Sequence, residues 1–341
     1  MGLLSKIFGK KESEKNQEIK VEIRAELKVT QPDVPEFQGD YAKTIFLWAH
    51  DKACPIRKKE EYSQYFLYEC GIRDAAIYHK KMISEGYFKE ASLEARLATF
   101  KMPELKKILS DLGQTTTGKK DLLIQRIIES GKTDAIDKMF SETLYELSQL
   151  GKEFLNQHND YVLVHKHRNW DVDWKEYDTA HKQGMSYYDT MWGIFNERLV
   201  GNPRHFGRGI YLNMYQLLQE EGKKERALEM LLRVLYIDLS GIEGDSIYEF
   251  YKGGLYTQEE TIEYFDIAIM LAPGIINSVK EFKGVYNDSV VDKIYEQKLP
   301  MQVCKKELFF EIIHSLLEDT YNEEYFVKKL KAEFTKLIKT L

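Results

Sequence analysis

"LATFKMPELKKILSDLGQTTTGKKDLLIQRIIES", residues 97 to 130, carries more information about this chain than any other stretch. It passes close to a nucleotide-binding loop: Gly113, four residues, Gly118, then Lys119. Such a loop needs a hydroxyl residue next, to meet a metal ion, and Lys120 stands there instead. It also needs a buried strand ahead of its glycines. What precedes Gly113 is helical: Leu105, Ile108, Leu109 and Leu112 fall at i, i+3, i+4 and i+7, and Lys106, Lys107 and Asp111 take the other side. Pro103 suits the first turn of that helix, where its missing N–H costs nothing, and Gly113 ends it. Leu123, Ile124, Ile127 and Ile128 line a second helix, with Thr117 expected as its N-cap. The segment is therefore helix, short link, helix, and not a phosphate loop.

Lys119 and Lys120 at the start of a helix oppose its dipole, at about 0.3–1 kcal/mol each. The free amides of a helix start and the hydroxyls of Thr115, Thr116 and Thr117 suit a phosphate backbone. Residues 97–132 hold seven Lys or Arg against four Asp or Glu, a net of +3 inside a chain whose formal charge is -6. An acidic chain can reach nucleic acid only through a local patch of this kind.

These residues strongly resemble the SAP motif, a helix–link–helix DNA-binding module of roughly 35 residues. The resemblance lies in "ELKKILSDLGQTTTGKKDLLIQRI": leucine at 105 and 109, glycine at 113, a small polar link, Gly-Lys-Lys, then Leu-Ile-x-Arg-Ile. Gln114 stands where many such motifs have Leu, which weakens one anchor. The match covers about a tenth of the chain. It implies binding to double-stranded DNA, often A/T-rich, at the backbone and minor groove. Gly118 would allow close backbone approach, and Lys119 and Lys120 would meet phosphates. Arg126 is a weaker candidate that could instead pair with a nearby acid. Lys106 and Lys107 either flank the groove or are simply a solvated helix face. About four phosphate contacts would give a log–log salt slope near −3.6, so a second contact is expected, from the hairpin of residues 60–90, an oligomer or a partner protein.

Around this module the chain reads as mainly α and multidomain. Residues 1–38 form a charged N-terminal tail, rich in Lys, Glu and Gln, expected to be flexible. Its opening, "MGLLSKIFGKK", does not read as a signal peptide, and Lys6 replaces the Ser or Thr of a myristoylation site. Residues 39–96 form a helix-turn-helix-like region, in which a helix with Tyr62, Tyr65 and Phe66 breaks at Gly71 and a second carries Ile77, Met82 and Ile83 to Gly86. Arg73, Lys80 and Lys81 on that second helix offer either DNA contact or ordinary solvation.

Residues 97–132 are the SAP-like module, and 133–183 a connecting region with a short helix and a small β element near 160–174. Within it "LYELSQLGKEFL" faintly resembles the Y-x-L-T-x-x-G stretch of winged-helix regulators, with Ser148 for Thr. Residues 184–341 are a helical, repeat-like domain. Its hairpin about Gly222, with Ala227, Leu228, Leu231, Leu232 and Leu235, resembles a tetratricopeptide-type unit suited to partner binding. The outline of the whole chain resembles proteins of Gram-positive bacteria and their phages.

For enzyme chemistry the one candidate is "HKHRNWDVDWKEYDTAH". His165 and His167 on a strand would share a face, with Asp171, Asp173, Glu176, Asp178 and His181 nearby, as in a metal-dependent nuclease. The alternative is an exposed strand and polar turn with Trp170 and Trp174 packed inward. No hydrolase, zincin or dinucleotide signature occurs. Cys54, Cys70 and Cys304 form no CxxC pair and read as buried thiols of a reducing compartment. The expectation is a cytoplasmic, non-enzymatic DNA-binding protein without cofactor. A protein–protein adaptor with the SAP fold as docking element is the alternative, and the nuclease comes third.

Overall fold

The computed structural model describes residues 33–132, 136–201, 204–242, 251–299 and 301–340. Most of the tail 1–38 lies outside them. The chain is mainly helical, with one two-stranded sheet, and divides into two compact units, Met1–Val162 and Leu163–Leu341.

The first unit opens with residues 33–38, which lie against their neighbours: the Gln38 N–H donates to the Cys70 carbonyl at 3.1 Å, and the Phe37 and Tyr78 rings sit 5.6 Å apart. Helix α1 follows, Gly39–Ala49. Its Phe46 centres an aromatic core, with ring centroids 5.1 Å from Phe66, 5.0 Å from Tyr78 and 5.5 Å from His79. The helix expected to carry Tyr62 spans only Tyr65–Tyr68 (α2), because Tyr62 is extended and its hydroxyl accepts from the Arg57 N–H. Helix α3 is Ala75–Ser84, capped by Asp74, whose carboxylate accepts from the Ile77 N–H at 2.9 Å.

Strand β1, Phe88–Glu90, then pairs antiparallel with β2, Tyr145–Leu147, in the register Phe88↔Leu147. Phe88 and Leu147 face inward and are buried, while Lys89 and Glu146 form an outward ion pair at 3.4 Å. Tyr145 also bridges Cys54 across its other edge. Residues 91–144 are thus an excursion from a two-stranded clasp. The excursion holds α4, Leu93–Leu97; α5, Met102–Asp111; and α6, Lys120–Glu129. Leu105, Ile108 and Leu109 pack on Leu123, Ile124 and Ile127, and Leu97 and Ile136 close the same small core. Pro103 sits in the first turn of α5, as its sequence position implies.

After β2, Ser148 caps α7, Gln149–Gln157, and α8 runs Asn159–Lys166, with the division between units falling inside it. This overturns the small β element expected near 160–174. "YVLVHK" is helical, with Val162 and Val164 buried, and Arg168–Trp170 is a 3-10 turn. The β-branched run suggested a strand. Asp160 in the first turn favours a helix start, and the apolar side chains find a core to pack into, which outweighs local propensity.

The second unit is helical among its described residues: α9, Trp174–Ala180; α10, Tyr187–Val200; α11, Arg208–Glu220; α12, Lys224–Asp238; α13, Gln258–Glu263; α14, Phe265–Ala268; α15, Pro273–Lys280; α16, Ser289–Tyr295; α17, Lys306–Leu317; α18, Glu323–Thr340. Helices α11 and α12 make the hairpin read from the sequence, and Ala227, Leu228, Leu231, Leu232 and Leu235 are all buried. Helix α12 is covered on nearly every side, by α11, α15 and α16. Its terminal Asp238, fully buried, is paired to Arg208, Nη2 to Oδ2 at 2.9 Å. Among the described residues no helix is long and apolar enough to cross a membrane.

Candidate nucleic-acid interface

The link between α5 and α6 is built by backbone geometry and by one arginine. Gly113, at φ +68, turns the chain out of α5. Thr115, Thr116 and Thr117 lead, without regular secondary structure, to Gly118, whose φ of +132 is open to glycine and strained for any other residue. Arg126, two turns into α6, reaches back and donates through Nη1 to the Thr115 carbonyl at 3.0 Å and to the Thr117 carbonyl. It meets carbonyls, not the acid considered from the sequence, and holds the link in shape.

The N-cap of α6 also differs from expectation. The helix starts at Lys120, its N-cap residue is Lys119 in extended conformation, and no side chain caps it. Thr117 lies two residues too early; it offers its carbonyl to Arg126 and no hydroxyl to the helix. The first amides of α6 are therefore not satisfied by a side-chain cap, which suits an anionic ligand.

The two lysines have different surroundings. Lys120 is half-buried, and its ammonium donates to the Ala98 carbonyl at 2.6 Å, at the C-cap of α4. There a cation meets the negative end of the helix dipole. Lys119 is exposed. Among the described residues neither lysine has an acidic partner. Lys106 and Lys107 are exposed on the outer face of α5. Thr115, Thr117 and Gly118 are exposed, and Thr116 is half-buried. Leu122, 48% exposed, is an apolar side chain beside Gly118 that the sequence reading passed over. It lies off the stripe of Leu123, Ile124, Ile127 and Ile128, so the helical periodicity could have marked it as outward.

The acids of this unit are partly engaged in structure. Glu104 accepts the Lys101 N–H at 2.6 Å, and Glu129 accepts from Gln125 at 2.9 Å. Charge divides unevenly along the chain. Residues 1–162 hold 26 Lys and Arg against 26 Asp and Glu, and residues 163–341 hold 23 against 29. The whole negative excess belongs to the second unit.

The histidine and carboxylate cluster does not assemble. His165 and His167 lie at a helix end, not along a strand. His165 is buried. His167 stacks on Trp170, with ring centroids 3.9 Å apart, and bonds the Tyr187 hydroxyl at 2.9 Å and Glu220 at 2.8 Å. Asp173 caps α9, Glu176 pairs with Arg198 at 2.7 Å, and His181 bonds Thr190 at 3.0 Å. Trp170 is buried, as read from the sequence. Among the described residues no three His, Cys, Asp or Glu are grouped to hold a metal ion. Burial raises the pKa of the Cys54, Cys70 and Cys304 thiols, which disfavours the thiolate a nucleophile needs. Comparison of the chain with protein-family models, with curated proteins and with solved structures gave no match.

Proposed function

We propose that this protein is a non-enzymatic factor of the cytoplasm that binds double-stranded DNA, A/T-rich by preference, through a SAP-type module formed by α5, the link and α6. The observation that carries this reading is Lys119: an exposed cation beside Gly118, at a helix start with no side-chain cap, without an acidic partner among the described residues. It belongs to a unit of net +3 inserted between the two strands of the clasp. Lys106 and Lys107 extend the positive surface, and Thr115, Thr117 and Lys120 line the link. The tetratricopeptide-like helices of the second unit would bind protein partners.

The test is duplex binding by anisotropy between 50 and 200 mM salt, for wild type and Lys119→Ala/Lys120→Ala. Loss of the Lys119 phosphate contact lowers the log–log salt slope by about 1 and weakens binding to all sequences alike, while Lys120, held by the Ala98 carbonyl, adds little. Unchanged affinity and slope in the double variant would overturn the reading and favour the adaptor.

A further inference from the structure

Helix α3 has two unlike faces. Ala75, His79 and Met82 are buried against the aromatic core at i, i+4 and i+7. Ile77, Lys80, Lys81 and Ser84 are exposed at i, i+3, i+4 and i+7, which is one stripe, and Arg73 is exposed just ahead of the Asp74 cap. Ile77, at its middle, is 66% exposed. Lys81 pairs with Glu85 at 3.6 Å, whereas among the described residues Arg73 and Lys80 meet no acid. Asp74, next to Arg73, is held as the helix cap. The buried face is explained by packing, and the charged face is not.

The place of α3 in the fold gives that face a direction. Helices α2 and α3 are joined through Gly71, and α3 leads directly into β1 of the antiparallel clasp. Two helices about a tight turn, followed by a β-ribbon, is the order of a winged helix-turn-helix. In helix-turn-helix docking the second helix enters the major groove while neighbouring elements hold the backbone. Here the ribbon does not close in a short turn. It opens at Ala91, whose N–H donates to the Leu144 carbonyl at 2.8 Å, into the helix–link–helix unit. The α3 stripe and the Gly118–Lys120 link are thus attached to the same two strands.

We propose that the outward stripe of α3 is a second contact with duplex DNA, made in the major groove, and that it and the link grip one duplex at two points. This rests on the reading of the link as a DNA contact. A ten-residue helix is about 15 Å long and its bare face fits a groove about 12 Å wide. Arg73, Lys80 and Lys81 match the phosphates at the groove edge, and Ile77 matches the thymine methyls on its floor. A protein-binding stripe would centre on aromatic or several apolar side chains, and this one has a single isoleucine among cations. Joining two weak contacts on a common support raises affinity over either alone.

The experiment uses the full chain, a labelled 30-base-pair duplex, and three variants whose changes lie on exposed side chains: Arg73→Ala/Lys80→Ala, Lys119→Ala, and all three together. Circular dichroism checks folding. Salt slopes are measured with protection of guanine N7 from dimethyl sulfate, which reports the major groove. The α3 variant is expected to lower the slope by about 2 and weaken binding about tenfold at 0.1 M salt. It should lose N7 protection, while Lys119→Ala keeps that protection and lowers the slope by about 1. Wild-type slope and protection in the α3 variant, the result if protein occupies the stripe instead, overturn this proposal and leave the link reading intact. Loss confined to the α3 variant, with Lys119→Ala unchanged, overturns the link reading and with it the two-point grip. A wild-type chain that binds no duplex overturns both.

Discussion

Arg126 donates to the carbonyl oxygens of Thr115 and Thr117, eleven and nine residues before it, and so ties the second helix to the link it follows. A guanidinium can serve two carbonyls from one fixed fork, and an ammonium on a flexible stem cannot hold both as well. Replacing it frees the link whose shape presents Gly118 and Lys119. The expected result for Arg126→Lys is a loss of about 1 kcal/mol of stability, because the site is partly solvated, with weaker duplex binding. Unfolding and duplex affinity both equal to wild type would show that the link holds its shape without this clamp.

Lys119 and Lys120 are adjacent in sequence and should separate in effect. Lys120→Ala removes the donor to the Ala98 carbonyl and should lower stability by about 0.5–1 kcal/mol. Lys119→Ala removes a cation from a helix start, where it is mildly unfavourable, and should be neutral or slightly stabilising. Thermal unfolding of the two single variants decides this; a larger loss for Lys119→Ala contradicts the assignment.

Ser148 and Gly151 explain the Y-x-L-S-x-x-G stretch physically. The Ser148 hydroxyl accepts the Gly151 N–H at 3.1 Å, and a β-carbon at Gly151 would lie 2.3 Å from the Tyr87 carbonyl oxygen. Backbone cannot yield as a flexible side chain can, so Gly151→Ala should cost about 2–3 kcal/mol. Gly193, also in a helix, has nothing within 4 Å of such a carbon, and Gly193→Ala should be neutral or stabilise by up to about 1 kcal/mol. Equal unfolding transitions for the two variants would refute the steric account.

His79 makes the first unit sensitive to acid. Burial, first of all, then His50 and Arg57, lower its pKa from 6.5 to about 4, and its Nδ1 is bonded to the Tyr62 hydroxyl at 3.0 Å. The folded chain keeps this imidazole neutral while the unfolded chain protonates near 6.5. Stability is therefore full above 6.5, falls as pH drops from 6.5 toward 4, and levels off below. The gap amounts to roughly 3 kcal/mol at most. His50, whose pKa burial also lowers, acts in the same direction. Denaturant unfolding at pH 7.5 and 4.5 should show the loss, and His79→Gln should flatten it; a profile equally steep in both proteins assigns the effect elsewhere.

Helix positions were readable wherever apolar residues kept a period over two or more turns, as in α5, α6 and α12. They misled at Tyr161–Val164, where four apolar residues in a row carry no period, and only the available core chose helix over strand. The cluster around His165 and His167 suggested a metal site because sequence shows residue types but not their partners. Tyr187, Glu220, Arg198 and Thr190, which engage its members, lie up to 53 residues away.

The sequence alone determined that the chain is mainly helical, that residues 101–130 are two helices around a polar link, and that positive charge concentrates there, because periodicity and charge are local properties. Tertiary structure decided which cations remain outward: Lys119, Arg73 and Lys80 do, while Arg126 and Lys120 turn to backbone carbonyls of their own fold. It also decided that β1 and β2, which the 54 residues 91–144 separate, clasp the helix–link–helix unit and α3 to one support. Such pairings depend on hydrogen bonds between distant segments, and no local pattern encodes them.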